Sequence, residues 1–162
     1  SMKIVTIVFV LFMNIFANDL KTKDIYLQSY NYEYMGKYNE AIKVLTPLYK
    51  KYPKSYTLNL RTGYLFLLSK KYSNAIKYYK KASVIIPSSV EPRLALININ
   101  LLMENYKVAQ ELSYELLKID YYSYYGNLYA IKALYAQKKY DDAKIITNKM
   151  LALYPTSVVF LE

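Results

Sequence analysis

The residues able to do covalent or acid–base chemistry in this chain are few in kind. None of its 162 residues is Cys or His. Disulfides, thiolate nucleophiles, the commonest metal ligands and the neutral-pH proton shuttle are therefore all absent. Catalysis would fall to Asp, Glu, Lys, Tyr or Ser. Asp141-Asp142 is the only adjacent acidic pair, and at the opening of a helix two carboxylates suit the positive end of the helix dipole without any catalytic role. No Gly-rich phosphate loop, metal-ligand spacing or serine elbow is present. The sequence points away from an enzyme and calls for no cofactor and no metal.

What the chain has in quantity is Tyr, with 22 residues, and a formal charge of +10. Tyr suits recognition, because it offers a large contact area and a hydroxyl at little entropic cost. The charge is not gathered into a basic block. Lysines run along the chain, often in pairs (Lys50-Lys51, Lys70-Lys71, Lys80-Lys81, Lys138-Lys139), as expected of a solvated surface and of helix C-termini. A protein or peptide is the expected partner, and nucleic acid is not.

These side chains must be positioned by helices. Only three Gly and five Pro are present in a sequence that is 54% hydrophobic, too few turn-formers for an all-β fold. Ala41, Ala75, Ala109 and Ala143 follow one another at intervals of 34 residues, and Tyr38, Tyr72, Tyr106 and Tyr140 keep the same step. Pro53, Pro87 and Pro155 share that register, with Tyr121 in the remaining place. The text around these residues repeats too, as GKYNEAI, KKYSNAI, ENYKVAQ and KKYDDAK.

This pattern resembles the tetratricopeptide repeat, most fully in the second copy, where Gly63, Phe66, Tyr72, Ala75, Tyr79, Ala82 and Pro87 stand at family positions and Asn59 replaces the usual Trp. The resemblance implies an all-α fold: a right-handed α-solenoid of four antiparallel helix-turn-helix repeats over residues 18–155. Caps and breakers predict first helices near 22–35, 55–69, 89–103 and 123–137, with Ser55, Ser89 and Ser123 as N-caps. Second helices are predicted near 38–52, 72–86, 106–119 and 140–154. Ala41, Leu45 and Leu48, like Ala75, Tyr79 and Ala82, recur at helical spacing and predict one buried stripe per second helix.

The same resemblance implies a partner-binding concave face lined by first-helix side chains. Carried over position by position, the first repeat contributes Lys23, Tyr26, Tyr30 and Tyr34, and the second Leu60, Arg61, Tyr64 and Leu68. Leu94 and Asn98 come from the third, and Tyr125, Tyr129 and Lys132 from the fourth. Glu33, Thr57, Glu91 and Ala95 fall at further groove positions. The expected surface is rich in Tyr and Leu with isolated Lys23, Arg61 and Lys132, although any of these residues could instead pack between repeats. Some family members clamp a peptide's C-terminal carboxylate with Lys, Asn and Arg; here the matching positions hold Tyr26, Tyr30, Glu91 and Ala95, so that clamp is missing.

The two ends are apolar. After Lys3 an apolar run extends from Ile4 to Phe16, broken by Thr6 and Asn14 and followed by Ala17 and polar Asn18-Asp19. Residues 1–17 are read as a secretory signal peptide, which places the mature protein in the periplasm or outside the cell, without a stable membrane span. An uncleaved anchor and an ordinary buried helix are the alternatives; an ordered helix here is expected to pack over the first hairpin or in a groove of a neighbouring copy. Residues 156–162, with Val158 to Leu161 in a row, read as the start of a further helix. Three roles follow: a scaffold in the bacterial envelope, the N-terminal periplasmic part of a longer outer-membrane or polysaccharide-export protein, or a module that self-assembles through its ends.

Overall fold

The computed structural model describes residues 2–161, including the side chains of all of them but residues 2, 3, 5 and 16. Among the described residues there is no strand. The helices are α1 (Met2–Tyr34), α2 (Tyr38–Lys51), α3 (Tyr56–Leu68), α4 (Tyr72–Ile85), α5 (Val90–Leu102), α6 (Tyr106–Ile119), α7 (Tyr124–Ala136), α8 (Tyr140–Leu153) and α9 (Val158–Leu161). They pair as the hairpins α1/α2, α3/α4, α5/α6 and α7/α8, and each hairpin packs on the next, which makes a right-handed α-solenoid.

The recurring residues account for this order. Ala41, Ala75 and Ala109 are fully buried and Ala143 nearly so, because a methyl side chain lets a second helix lie close against its partner. The predicted stripes are buried as well: Ala41, Leu45 and Leu48 in α2, and Ala75, Tyr79 and Ala82 in α4. α2, α4 and α8 stop two residues before Pro53, Pro87 and Pro155, and α6 stops two before Tyr121. Within each hairpin the turn places one residue in the left-handed region: Gly36, Lys70, Glu104 and Lys138, again 34 apart. There the next residue's N–H bonds back across the helix end, as from Lys37 to the Tyr32 carbonyl at 2.8 Å and from Lys71 to that of Phe66 at 2.9 Å.

Two expectations about caps hold and one does not. Ser55 Oγ accepts from the Leu58 N–H and Ser123 Oγ from that of Gly126. Ser89 makes no such bond. Its hydroxyl pairs with the Tyr56 hydroxyl of the preceding hairpin, so it ties two repeats together instead of capping its own helix.

The N-terminal segment departs from expectation. It forms no separate element; α1 runs unbroken through it, about 50 Å at the usual helical rise. The expected packing over the first hairpin does not occur. Its described large hydrophobics, Ile4, Ile7 to Met13 and Ile15, are exposed, Val10 least at 51% and Ile4 most at 67%, because α2 is too short to reach alongside them. No helix among the described residues is long and apolar enough to cross a membrane. At the other end α9 lays Phe160 against Tyr124, with ring centroids 5.3 Å apart, and leaves Val158, Val159 and Leu161 outside.

Candidate functional site: a tyrosine-lined groove

The first helices α1, α3 and α5 meet over a cavity of about 340 Å³, into which Tyr79 also reaches from α4. Of the residues predicted for the concave face, Tyr30, Leu60, Arg61 and Tyr64 line it together. Glu33, Thr57, Glu91 and Ala95 join them.

Arg61 is not the isolated groove cation that the sequence suggests. Its side chain is buried, its Nη1 lies 3.0 Å from Glu33 Oε1, and its Nε and Nη2 both donate to Ser29 Oγ. The Ser29 hydroxyl donates in turn to the Ala41 carbonyl at 3.0 Å, so one chain of contacts runs from α3 through α1 to α2. The guanidinium also sits 3.7 Å from the centre of the Tyr30 ring, where the π-face attracts it. Arg61 has to be paired because a buried charge without partners is expensive. Its role here is to lock the second hairpin to the first.

The remaining predicted residues spread along the array. Lys23, Tyr34 and Lys132 are exposed, while Tyr26 is half-buried against the first core cluster. Burial, and then the neighbouring Tyr30, push the Tyr26 phenol above its ordinary value. Leu94 and Tyr129 both pack on the core shared by α5, α6 and α7, and so contribute to stacking between repeats. Asn98 and Leu68 are half-buried on α5 and α3. Tyr125 and Tyr129 form a ring pair at 5.9 Å on α7, away from the cavity. The fourth-hairpin tyrosines are thus a separate stretch of the same face.

The helical spacing of Ala75, Tyr79 and Ala82 places Tyr79 in the core alone. It reaches the groove because Gly63 offers no side chain: a Cβ there would lie 3.0 Å from the Tyr79 ring. The pair Gly63 and Tyr79, one in each helix of a hairpin, is the sequence signal for it. Burial first, then Glu91 and Tyr64, push the Tyr79 phenol well above its ordinary value.

Position 59 and its equivalents 34 and 68 residues later have a role the sequence does not announce. Asn59 Nδ2 donates to the carbonyls of Pro53 and Ser55, at 3.1 and 2.8 Å, and its Oδ1 accepts from the Tyr49 hydroxyl. Arg93 donates through Nε and Nη2 to the Pro87 carbonyl, and Asn127 through Nδ2 to those of Tyr121 and Ser123. Each closes the loop that joins one hairpin to the next. The residue type changes from copy to copy, but the carbonyl it holds does not.

A solenoid of helical hairpins, each packed on the next, defines a helical repeat protein. Two family models match, both described as tetratricopeptide repeat, over residues 26–89 and 127–157. The chain carries tetratricopeptide repeats. Among curated proteins none matches.

Solved structures with the same fold include a tetratricopeptide repeat protein from Parabacteroides merdae, with 17% identity and a TM-score of 0.73, covering 84% of this chain and 53% of that one. The present chain thus spans about half the length of that protein. MamA (41-end) from Desulfovibrio magneticus RS-1 matches with 14% identity and a TM-score of 0.75, over 86% of this chain and 79% of that one. The first tetratricopeptide domain of Spaghetti (RPAP3), bound to the HSP90 peptide SRMEEVD, matches with 17% identity and a TM-score of 0.64, over 74% and 94% of the two chains. At these identities the likeness is one of fold.

Proposed function

We propose that the four hairpins are four tetratricopeptide repeats of a non-catalytic scaffold, exported to the bacterial envelope, that holds a protein or peptide partner in its Tyr/Leu-rich groove. The observation that carries this reading is the cavity between α1, α3 and α5, where Tyr30, Leu60 and Tyr64 present half-exposed apolar surface beside fixed polar groups. A related fold holding a peptide, as in Spaghetti, supports the mode of use. The location rests on the N-terminal sequence, with its basic start, short apolar run and Ala17 before polar residues.

The test is affinity capture from native envelopes, comparing the wild type with Tyr64→Ala. Loss of one specific partner at unchanged helicity is expected. An identical partner list would move function off the groove.

Self-assembly is the second reading, and it is favoured by the apolar arm of α1, whose described large hydrophobics, Ile4, Ile7 to Met13 and Ile15, are exposed. Light scattering over a range of concentrations tests it: mass that rises with concentration, and ceases to rise when residues 1–17 are removed, supports it. A constant monomer mass rejects it.

A further inference from the structure

The cavity sorts partners by charge, and in the direction opposite to the chain as a whole. The protein carries +10, so at long range it attracts anions. Inside the cavity the one cation, Arg61, already pairs with Glu33 and gives its Nε and one Nη to Ser29. Glu91 also lines it, from the first turn of α5, and makes no ion pair among the described residues. Counting Arg61 against Glu33, the lining is left with one carboxylate that no side-chain cation pairs among the described residues, at the positive end of the α5 dipole. Beside it stand the exposed ring of Tyr64 and the largely buried Tyr79, while Arg61 occupies one face of the Tyr30 ring.

Resting on the groove reading above, we propose that this cavity seats a lysine or arginine side chain of the partner, within an otherwise apolar segment. Glu91 is its counter-ion, and the exposed Tyr64 ring stands beside its charged end. Ring faces attract cations, most strongly where water is partly excluded. A carboxylate within reach of the same cation adds direction to that attraction. The apolar neighbours Leu60 and Ala95 suit the methylene stem of such a side chain, which packs on apolar surface while its head finds polar partners. A carboxylate in the same place would meet Glu91 as a like charge and would find Arg61 already engaged.

The probe is a phage-displayed library of random dodecapeptides, selected on the full chain at physiological salt, with Glu91→Gln as the parallel bait. Glu91 is exposed at a helix end, so this substitution leaves the fold intact, which circular dichroism checks. Expected is enrichment of peptides with one Lys or Arg among apolar residues on the wild type only, against the general preference of a +10 protein for acidic peptides. Replacing that Lys by norleucine in a synthetic copy of a selected peptide should weaken binding about tenfold. Glu91→Gln should weaken it about fivefold, and the two changes together should cost less than their product.

Enrichment of acidic peptides, equal selection by both baits, or fully independent effects in the cycle would each overturn the proposal. Peptides that lose binding with Tyr64→Ala yet show no basic preference would overturn it and leave the groove reading standing. Peptides indifferent to Tyr64→Ala would remove both.

Discussion

Arg61 Nη1 in α3 meets Glu33 Oε1 in α1 at 3.0 Å, across 28 residues of sequence, and this pair joins the first two hairpins. The arginine is the more buried partner, with 7% of its side chain exposed against 25% for the glutamate. Removing the acid leaves a buried guanidinium with only Ser29 and the Tyr30 face. Glu33→Ala is therefore expected to destabilise the chain by about 1–3 kcal/mol, and Glu33→Gln by less, because an amide oxygen still accepts the bond. The midpoint of urea unfolding measures both. Glu33→Ala at the wild-type midpoint would make the pair an ornament of the surface.

Asn59 predicts a larger effect for its size. Its amide supplies the side-chain bonds to the carbonyls of Pro53 and Ser55 from a fully buried position. Asn59→Ala should cost about 2–3 kcal/mol, and Asn59→Asp at least as much, since a carboxylate cannot donate and must be buried. Urea midpoints again give the answer. If Asn59→Asp equals the wild type, the donor role assigned to the amide is wrong.

Tyr79 gives the chain a dependence on alkaline pH. Its phenol is raised above 10, first by burial and then by Glu91 and Tyr64. In the unfolded chain the phenol ionises near 10, while the folded state keeps its proton. Stability is thus unaffected below pH 10 and falls as pH rises above it, by at most about 1.4 kcal/mol per pH unit for this one proton. Tyr79→Phe should flatten that decline relative to the wild type while changing little at pH 7. Tyr26, Tyr114 and Tyr129 are raised in the same direction, burial being the main cause for each, so some decline should persist. Equal slopes for the two proteins above pH 10 would contradict the assignment.

The sequence displayed the array clearly and the site only in outline, for a physical reason. Contacts between the two helices of a hairpin demand the same small or aromatic residue each time, so Ala41, Ala75, Ala109 and Ala143 repeat visibly. The ties between hairpins demand only a donor at the right height. Asn59 and Asn127 satisfy that with an amide and Arg93, between them, with a guanidinium, so the 34-residue period is broken in residue type. Arg61 reads as a free groove charge until Glu33 and Ser29 are seen beside it, because its partners lie on another helix. Tyr79 reads as core because it is core; only the missing side chain at Gly63 lets its ring reach the groove. The length of α1 was hidden by its composition, since an apolar run at the start of a chain resembles a targeting segment whether or not it continues a helix. Pro47 lies inside α2, although a proline there forfeits one helical hydrogen bond; the burial of Leu45 and Leu48 on either side holds the helix through it.

The account stands most directly on which surface of the array touches a partner. A photo-crosslinking amino acid placed at Tyr64, 43% exposed in the groove, can be compared in native cells with the same group at Ile145, 68% exposed on α8. The groove reading predicts a discrete adduct from position 64 and none from position 145, despite the greater exposure of the latter. Adducts of equal strength from both positions, or from 145 alone, would contradict it.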